Sequence, residues 1–261
     1  MFDNLLIGGR FWDGKSEDPS QLLAWVEAHS NIAKLAVAVN IANDKSHAVK
    51  ALQEGGVATA IPVQPWLRWS PALLALTAEA VRQGKEYVLF LSTTMRVDEV
   101  SLGALVQIMD ENPSIMHLGP AFPEHDFQPG VNKIRGRTVG WNNCSIHRVS
   151  ALSGFGFQPG SEGLLDPKAQ GVEEVVYDSL NQAIRGRQNH RVLLVKGLPG
   201  LIVWDVNTDS HGAWYVVYHN DKLQSKDDRP DAQLRLLGLS AGEVWHAEYG
   251  DLLQNGMPWN R

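Results

Sequence analysis

An α/β fold built on a mostly parallel sheet flanked by helices is predicted by three observations. Apolar runs of strand length alternate with longer segments of helical period as far as about residue 122. The run Tyr87-Val88-Leu89-Phe90-Leu91 shows no polar alternation, which fits a strand covered on both faces. That run stops on three small polar residues, Ser92, Thr93 and Thr94, and open α/β sheets bind ligands beyond the carboxyl ends of such strands.

The elements follow in order. Residues 4–9 read as a first strand. Asp18-Pro19-Ser20-Gln21 opens a helix with a cap, a proline at the first helical position and a glutamine three residues after the cap. Leu22, Leu23, Trp25 and Val26 carry it to about His29. Residues 33–41 form a second buried strand, 44–55 a short helix closed by two glycines, and 57–63 a third strand. Ser70 is expected to cap the next helix, with Pro71 at its first position and Gly84 as its stop. Leu73, Leu74, Leu76, Thr77 and Val81 supply its apolar face. Residues 97–111 give a further helix with Val100, Leu102, Leu105, Val106 and Met109 inward, and 115–122 a further strand. This alternation implies helices on both faces of a parallel sheet.

The middle of the chain is looser. Residues 123–137 are rich in Pro, Gly and charge and read as a loop or ribbon. Residues 138–146 are extended, and 149–155 form a short helix closed by glycines. Residues 158–171 make a long polar loop suited to a lid or an acceptor loop. A strong helix follows over 171–186, with Val172, Val175, Val176, Leu180, Ala183 and Ile184 on one face. Residues 191–196 and 201–205 are strands. Further on, 214–219 reads as a strand and 231–237 as a helix.

Bulk composition sets limits. The 261 residues suffice for one large domain or for a domain with an extension. A net charge of -6 argues against non-specific nucleic-acid binding, which needs a basic face. Cys144 is the one cysteine, so no internal disulfide forms, and a reducing compartment is expected. The start MFDNLLIGGR lacks the features of a signal peptide, and no apolar run approaches the roughly 20 residues that span a bilayer. A cytoplasmic protein without an integral membrane segment is therefore expected. Nine tryptophans serve either as core or as platforms for flat faces such as sugars and bases.

Four constellations invite chemistry. Residues 9–16, GRFWDGKS, match the phosphate-loop pattern G-x-x-x-x-G-K-S after a predicted strand. Such a loop needs small residues and a helix opening at its lysine. Here Arg-Phe-Trp-Asp fills the middle and the helix start falls late, so an ordinary strand-to-helix turn is the better reading. Asn40, Asn43 and Asp44 close the second strand with groups able to bond a base or ribose, or simply to cap the next helix. Glu173 and Glu174 open the helix over 171–186. Acids there complement the helix dipole, and a partly buried one is also suited to act as a general base. His211 and His219 lie near Asp205 and Asp209 without a metal-ligand spacing, and Cys144 reads as a packed thiol.

Taken in order, these segments resemble a GT-A-fold glycosyltransferase of the inverting family-2 type. VAVNIANDKSHAVKAL resembles that family's second strand and acidic turn, and LTAEAVRQGKEYVLFLSTTM the helix and strand leading to its Asp-x-Asp. WNNCSIHRVSALSGFGF resembles its acceptor-side strand, and GVEEVVYDSLNQAIRGR its Glu-Asp helix. The resemblance covers about residues 4–206. It implies a GT-A-like catalytic domain over 1–206, divided into a nucleotide-binding half (1–122) and an acceptor half (123–206). Residues 207–261 are then a C-terminal extension packing on the same domain.

The resemblance further implies a nucleotide-diphosphate sugar donor and a glycan acceptor. Glu174 falls on the base, with Glu173 before it. Asn40, Asn43, Asp44, Ser92, Thr93, Thr94, Arg96, Trp141 and Asn142 are the expected donor-binding residues. Ser92 and Thr94 stand where two metal-binding aspartates belong, which puts Mg²⁺ or Mn²⁺ in doubt. Thr94 and His211 are the residues left for a metal. The expected function is sugar transfer, metal-independent with Arg96 or another cation on the leaving diphosphate, or with a metal held through Asp98. The alternatives are a non-catalytic nucleotide- or glycan-binding relative and a phosphate-loop NTPase using Lys15.

Overall fold

The strand Phe2–Phe11 (β1) turns Leu5 and Ile7 to one side and Leu6 to the other, and all three are fully buried. This alternation of side chains is what places helices on both faces of the sheet. The structure is a computed structural model that describes residues 1–12, 19–41, 47–204, 221, 225–257 and 259.

The elements after β1 run α1 (Pro19–His29), β2 (Ala33–Asn40), α2 (His47–Gly55), β3 (Ala58–Val63), α3 (Ser70–Arg82), β4 (Tyr87–Leu91) and β5 (Met95–Val97). Next come α4 (Glu99–Glu111), β6 (Ile115–Pro120), β7 (Gly130–Lys133), β8 (Cys144–Arg148), α5 (Val149–Leu152) and α6 (Glu173–Arg185). The chain continues through β9 (Arg191–Lys196), β10 (Ile202–Trp204), α7 (Asp228–Leu236), β11 (Glu243–Glu248) and α8 (Tyr249–Asn255). The fold is α/β, as predicted.

Among the described residues, one nine-stranded sheet has the order β3-β2-β1-β4-β8-β6-β9-β11-β7. The pairs β1–β2, β2–β3, β1–β4, β6–β9 and β9–β11 are parallel. β8 runs antiparallel to both β4 and β6, and β7 antiparallel to β11. The sheet is therefore mixed but mostly parallel. One face packs Trp25 of α1, Leu52 of α2, Leu105 of α4 and Leu252 of α8 against Leu5, Val37 and Leu89. The other packs Leu73 and Leu76 of α3 and Tyr177 of α6 against Leu6, Ala36 and Phe90.

Several expectations change in detail. Ser70 begins α3, and Trp69 occupies the cap position without a side-chain bond of its own. The cap comes from Glu162, whose buried carboxylate accepts from the N–H groups of Arg68 (2.7 Å), Trp69 (3.2 Å) and Ser70 (2.5 Å). A distant carboxylate thus satisfies the donors that a helix start leaves open. Leu74 and Val81 lie outside, because the buried stripe of α3 runs through Ala72, Leu73, Leu76 and Ala80. Val100 is likewise exposed. On α6 the exposed positions include Ala183 and Ile184, whereas Asp178, Asn181 and Gln182 are buried.

Polar burial on α6 is compensated by hydrogen bonds. Gln182 Nε2 donates to the carbonyls of Glu243 (2.7 Å) and His190 (3.0 Å), and its Oε1 accepts from the Glu243 N–H. These bonds dock β11 beside β9. The sequence reading does not anticipate β11 or α8, because β11 is short, is flanked by glutamates and buries a histidine among its apolar residues. His246 Nε2 donates to the Thr138 carbonyl at 2.7 Å and Nδ1 accepts from Gln128 N–H at 3.0 Å, so its ring is satisfied inside. The expected strand over 214–219 lies outside the described residues.

Candidate functional site

Parallel β1, β2, β3 and β4 end at one edge of the sheet, and antiparallel β8 begins there. Leu91, the last residue of β4, pairs with Cys144, the first of β8. The Ser92 N–H donates to the Asn143 carbonyl at 2.7 Å, so the segment before β8 is tied to the end of β4. The N-terminus of α6 faces the same edge. Gly171 and Val172 both adopt positive φ (76° and 61°) immediately before Glu173. Glycine adopts that conformation freely, whereas a β-branched valine does not, and such strain collects where a site dictates the backbone.

Two adjoining cavities open on this edge. The larger is about 930 Å³, within the range of about 300–1,000 Å³ usual for small-molecule sites. Arg10, Asn40, Ser92 and Thr94 line it on the sheet side, and Trp66, Arg68 and Trp69 on the loop between β3 and α3. The smaller is lined by Trp141, Asn142, Glu173, Glu174, Lys226 and Arg229. Arg10 and Trp69 border both.

Glu173 and Glu174 are 4% exposed each, on the first turn of α6. Asn142 Nδ2 stands 3.2 Å from Glu173 Oε1 and 3.5 Å from Glu174 Oε2. Arg10 Nη1 is 3.8 Å from Glu173 Oε1. Burial, and next the neighbouring Glu173, push Glu174 up to about 8, against the opposing pull of Lys226 and Arg10. Two carboxyls so close and so dry do not both ionise readily. Lys226 also lies over the Trp141 ring, with Nζ 3.1 Å from its centroid. Trp141 Nε1 donates to the Gly136 carbonyl at 2.7 Å, and the His125 ring stacks on it at 4.0 Å.

The structure brings together most of the residues singled out by sequence. Asn40, Ser92, Thr93 and Thr94 line the large cavity, and Trp141, Asn142, Glu173 and Glu174 the small one. Arg96 is exposed on β5 and borders a separate cleft with Gln21, Trp25, Thr93 and Thr94. Asn43, Asp44 and His211 lie outside the described residues, as does Lys15. Gly9, Arg10 and Phe11 belong to β1 and pair with β2, so the first part of the phosphate-loop pattern is strand and cannot wrap a phosphate. Cys144 is buried, and burial raises its thiol to about 12, in keeping with a packed thiol.

The donor set does not fit the divalent cation that the resemblance implies. Ser92 Oγ and Thr94 Oγ1 bond each other at 2.9 Å and are neutral. Asp98 is committed elsewhere: its oxygens accept from the N–H groups of Ser101 (2.7 Å) and Leu201 (2.8 Å), capping α4. Among the described residues, no group of three or more His, Cys, Asp or Glu side chains is arranged to hold a metal. Mg²⁺ and Mn²⁺ prefer carboxylate oxygens, and neither Ser92 nor Thr94 supplies one.

Sequence reasoning missed Arg10, Lys226 and Arg229, which reach the site from opposite ends of the chain. It also missed the loop Gln64–Trp69 and the capping role of Glu162. The loop had a usable signal: two tryptophans and an arginine directly beyond a strand end.

No protein-family profile matches the chain, and no curated protein does. Solved structures resemble it at low identity. S. aureus TarS 1-349 in complex with UDP is 11% identical over 76% of this chain and 59% of that one, with a TM-score of 0.47. TarS 1-349 in complex with UDP-GlcNAc is 12% identical over 58% and 47%, with a TM-score of 0.41. A mannose-1-phosphate geranyltransferase from Thermus thermophilus is 15% identical over 50% and 45%, with a TM-score of 0.34. The chain spans between two fifths and two thirds of the length of these structures. Among the described residues, no helix is long and apolar enough to cross a membrane.

Proposed function

We propose that this protein transfers a sugar from a nucleotide-diphosphate sugar to a hydroxyl of a glycan acceptor, by a GT-A-type inverting reaction without a divalent metal. The observation that carries the reading is Glu174. It is a buried carboxyl poised near working pH in a small cavity that opens beside a nucleotide-sized one. The donor lies in the large cavity, with the base and ribose near Asn40 and the tryptophans and the diphosphate near Arg10.

Glu174 takes the proton of the acceptor hydroxyl as its oxygen bonds to the anomeric carbon. The bond from that carbon to the diphosphate oxygen breaks, and the electron pair leaves with the nucleoside diphosphate. Arg10 is the cation best placed to stabilise the departing charge, and Lys226 and Arg229 add to the positive field. Arg10 takes the part that the sequence reading gave to Arg96. The test is Glu174→Gln. It should abolish turnover while leaving donor binding intact; normal turnover in that variant would sink the assignment.

A second reading has its own support. Neutral Ser92 and Thr94 in place of carboxylates suit a module that binds nucleotide or glycan without catalysis. Nucleotide-sugar turnover by the purified protein would exclude it. A cytoplasmic setting and the division into domains at about residue 206 remain part of the same proposal.

A further inference from the structure

Behind the glutamate pair lies a buried polar network that proton abstraction alone does not require. His147 Nε2 is 3.1 Å from Asn142 Oδ1 and 3.0 Å from Ser145 Oγ. Its Nδ1 is buried with no hydrogen-bond partner among the described residues. Burial, and then His117 and His190, hold the His147 ring neutral. A buried N–H without an acceptor is rarer and costlier than a bare lone pair. The proton of His147 therefore sits on Nε2 and is donated to Asn142 Oδ1. Ser145 Oγ, 3.3 Å from the same oxygen, donates to it as well.

This settles the orientation of the Asn142 amide. With Oδ1 accepting from behind, Nδ2 must face the two carboxylates, at 3.2 Å from Glu173 and 3.5 Å from Glu174. His147 is itself held. It stacks on His117 at 4.0 Å between centroids and packs edge-on against Tyr177 and Phe157. Asp178 accepts from His117 Nδ1 at 2.7 Å and from His190 Nε2 at 2.9 Å. Burial opposes charge on Asp178, but the two histidines outweigh it and keep the carboxyl ionised. Asp178 follows Glu174 by one helical turn on α6, so this helix is anchored at the network's front and back.

We propose that Asn142, oriented by His147 and Ser145, positions the Glu173–Glu174 pair and shares its amide hydrogens between the two carboxyl groups. Asn142 is a positioning residue, acting through the glutamates. Its catalytic consequence rests on the reading of Glu174 as the base, but the geometry does not. Among the described residues, the charged groups facing the pair are Arg10 from β1 and Lys226 and Arg229 from the segment around the start of α7. His117, His147, His190 and Asp178 stand behind it.

The test follows the titration of the pair by ¹³C NMR of carboxyl-labelled glutamate in the full chain, with Glu174→Gln assigning the signal. His147→Phe fills the ring space but removes the donor to Asn142. His147→Gln perturbs packing comparably but keeps an N–H donor. Loss of the donor frees the amide to flip, and the midpoint should rise by about one pH unit in His147→Phe. It should return toward the wild-type value in His147→Gln.

An unchanged midpoint in His147→Phe overturns the proposal, and so do equal shifts in both variants, which would mean packing alone. Asn142→Ser, at the cavity edge, gives the same reading should the core variants not fold: a rise supports the proposal and no change overturns it. If Glu174→Gln keeps turnover, the reading of the base fails, while the NMR midpoints still decide the role of Asn142.

Discussion

Arg10 Nη1 stands 3.8 Å from Glu173 Oε1, and this contact joins the two cavities of the site. Arg10 ends up there because β1 carries it to the carboxyl edge of the sheet, beside the start of α6. One guanidinium therefore faces both the large cavity and the glutamate pair. In the proposed reaction it is the partner of the donor's diphosphate.

Replacing Arg10 tests that role. Arg10→Ala should weaken nucleoside diphosphate binding roughly 10- to 100-fold, the cost of one lost charge-assisted contact. Added Mn²⁺ should not restore it. The check is calorimetry with UDP and GDP; affinity equal to wild type would remove Arg10 from the donor site.

The elevated Glu174 predicts how rate and stability depend on pH. A base must be deprotonated, so turnover should rise with pH through about 8 and level off above it. Stability runs the other way. The folded chain holds this proton more tightly than the unfolded chain does. The stabilisation is complete below the ordinary carboxylate range and is lost as pH rises through about 8. Glu174→Gln should thus gain on wild type between about pH 5 and about pH 9, by up to several kcal/mol. Denaturant melts at both pH values check this, and a gap that does not widen would mean that Glu174 titrates normally.

Glu162 ties the loop after α5 to the start of α3 and to the wall of the large cavity. Glu162→Ala leaves three N–H groups without their shared acceptor and should destabilise the fold by about 2–4 kcal/mol. Glu162→Gln, which keeps an acceptor oxygen, should lose less. Equal losses would show that packing, not capping, is at stake.

Backbone crowding predicts a further sensitive point. A Cβ on Gly119, in β6, would lie 2.6 Å from Gly140 Cα. The chain from Gly140 leads directly into Trp141 and Asn142. Gly119→Ala should therefore cost about 1–3 kcal/mol and disturb the glutamate pair as well. Thermal melts with donor titrations test it; an unchanged melting temperature would contradict the close approach.

The sequence was legible where burial is two-sided and continuous. Strands such as Tyr87–Leu91 and Arg191–Lys196 declare themselves through unbroken apolar runs, and their polar ends mark the site edge. β11 was not legible, because its buried Val244 and Ala247 are separated by His246, whose burial depends on hydrogen bonds with the Thr138 carbonyl and the Gln128 N–H. On α6 the expected aliphatic stripe holds at Val172, Val175 and Val176, but further along Asp178, Asn181 and Gln182 are buried in place of Ala183 and Ile184. Glu174 could be picked out from its place in an ordered pattern. Arg10, Glu162 and Lys226 could not, since their partners lie many residues away and meet them only in the folded chain.

The most direct test is calorimetric titration of UDP, GDP and their common sugars into the protein, once with a chelator and once with Mn²⁺. The account predicts saturable binding of at least one nucleotide in the chelator, unchanged by Mn²⁺ and weakened in Arg10→Ala. Binding that appears only with Mn²⁺, or no binding of any of them, would contradict it.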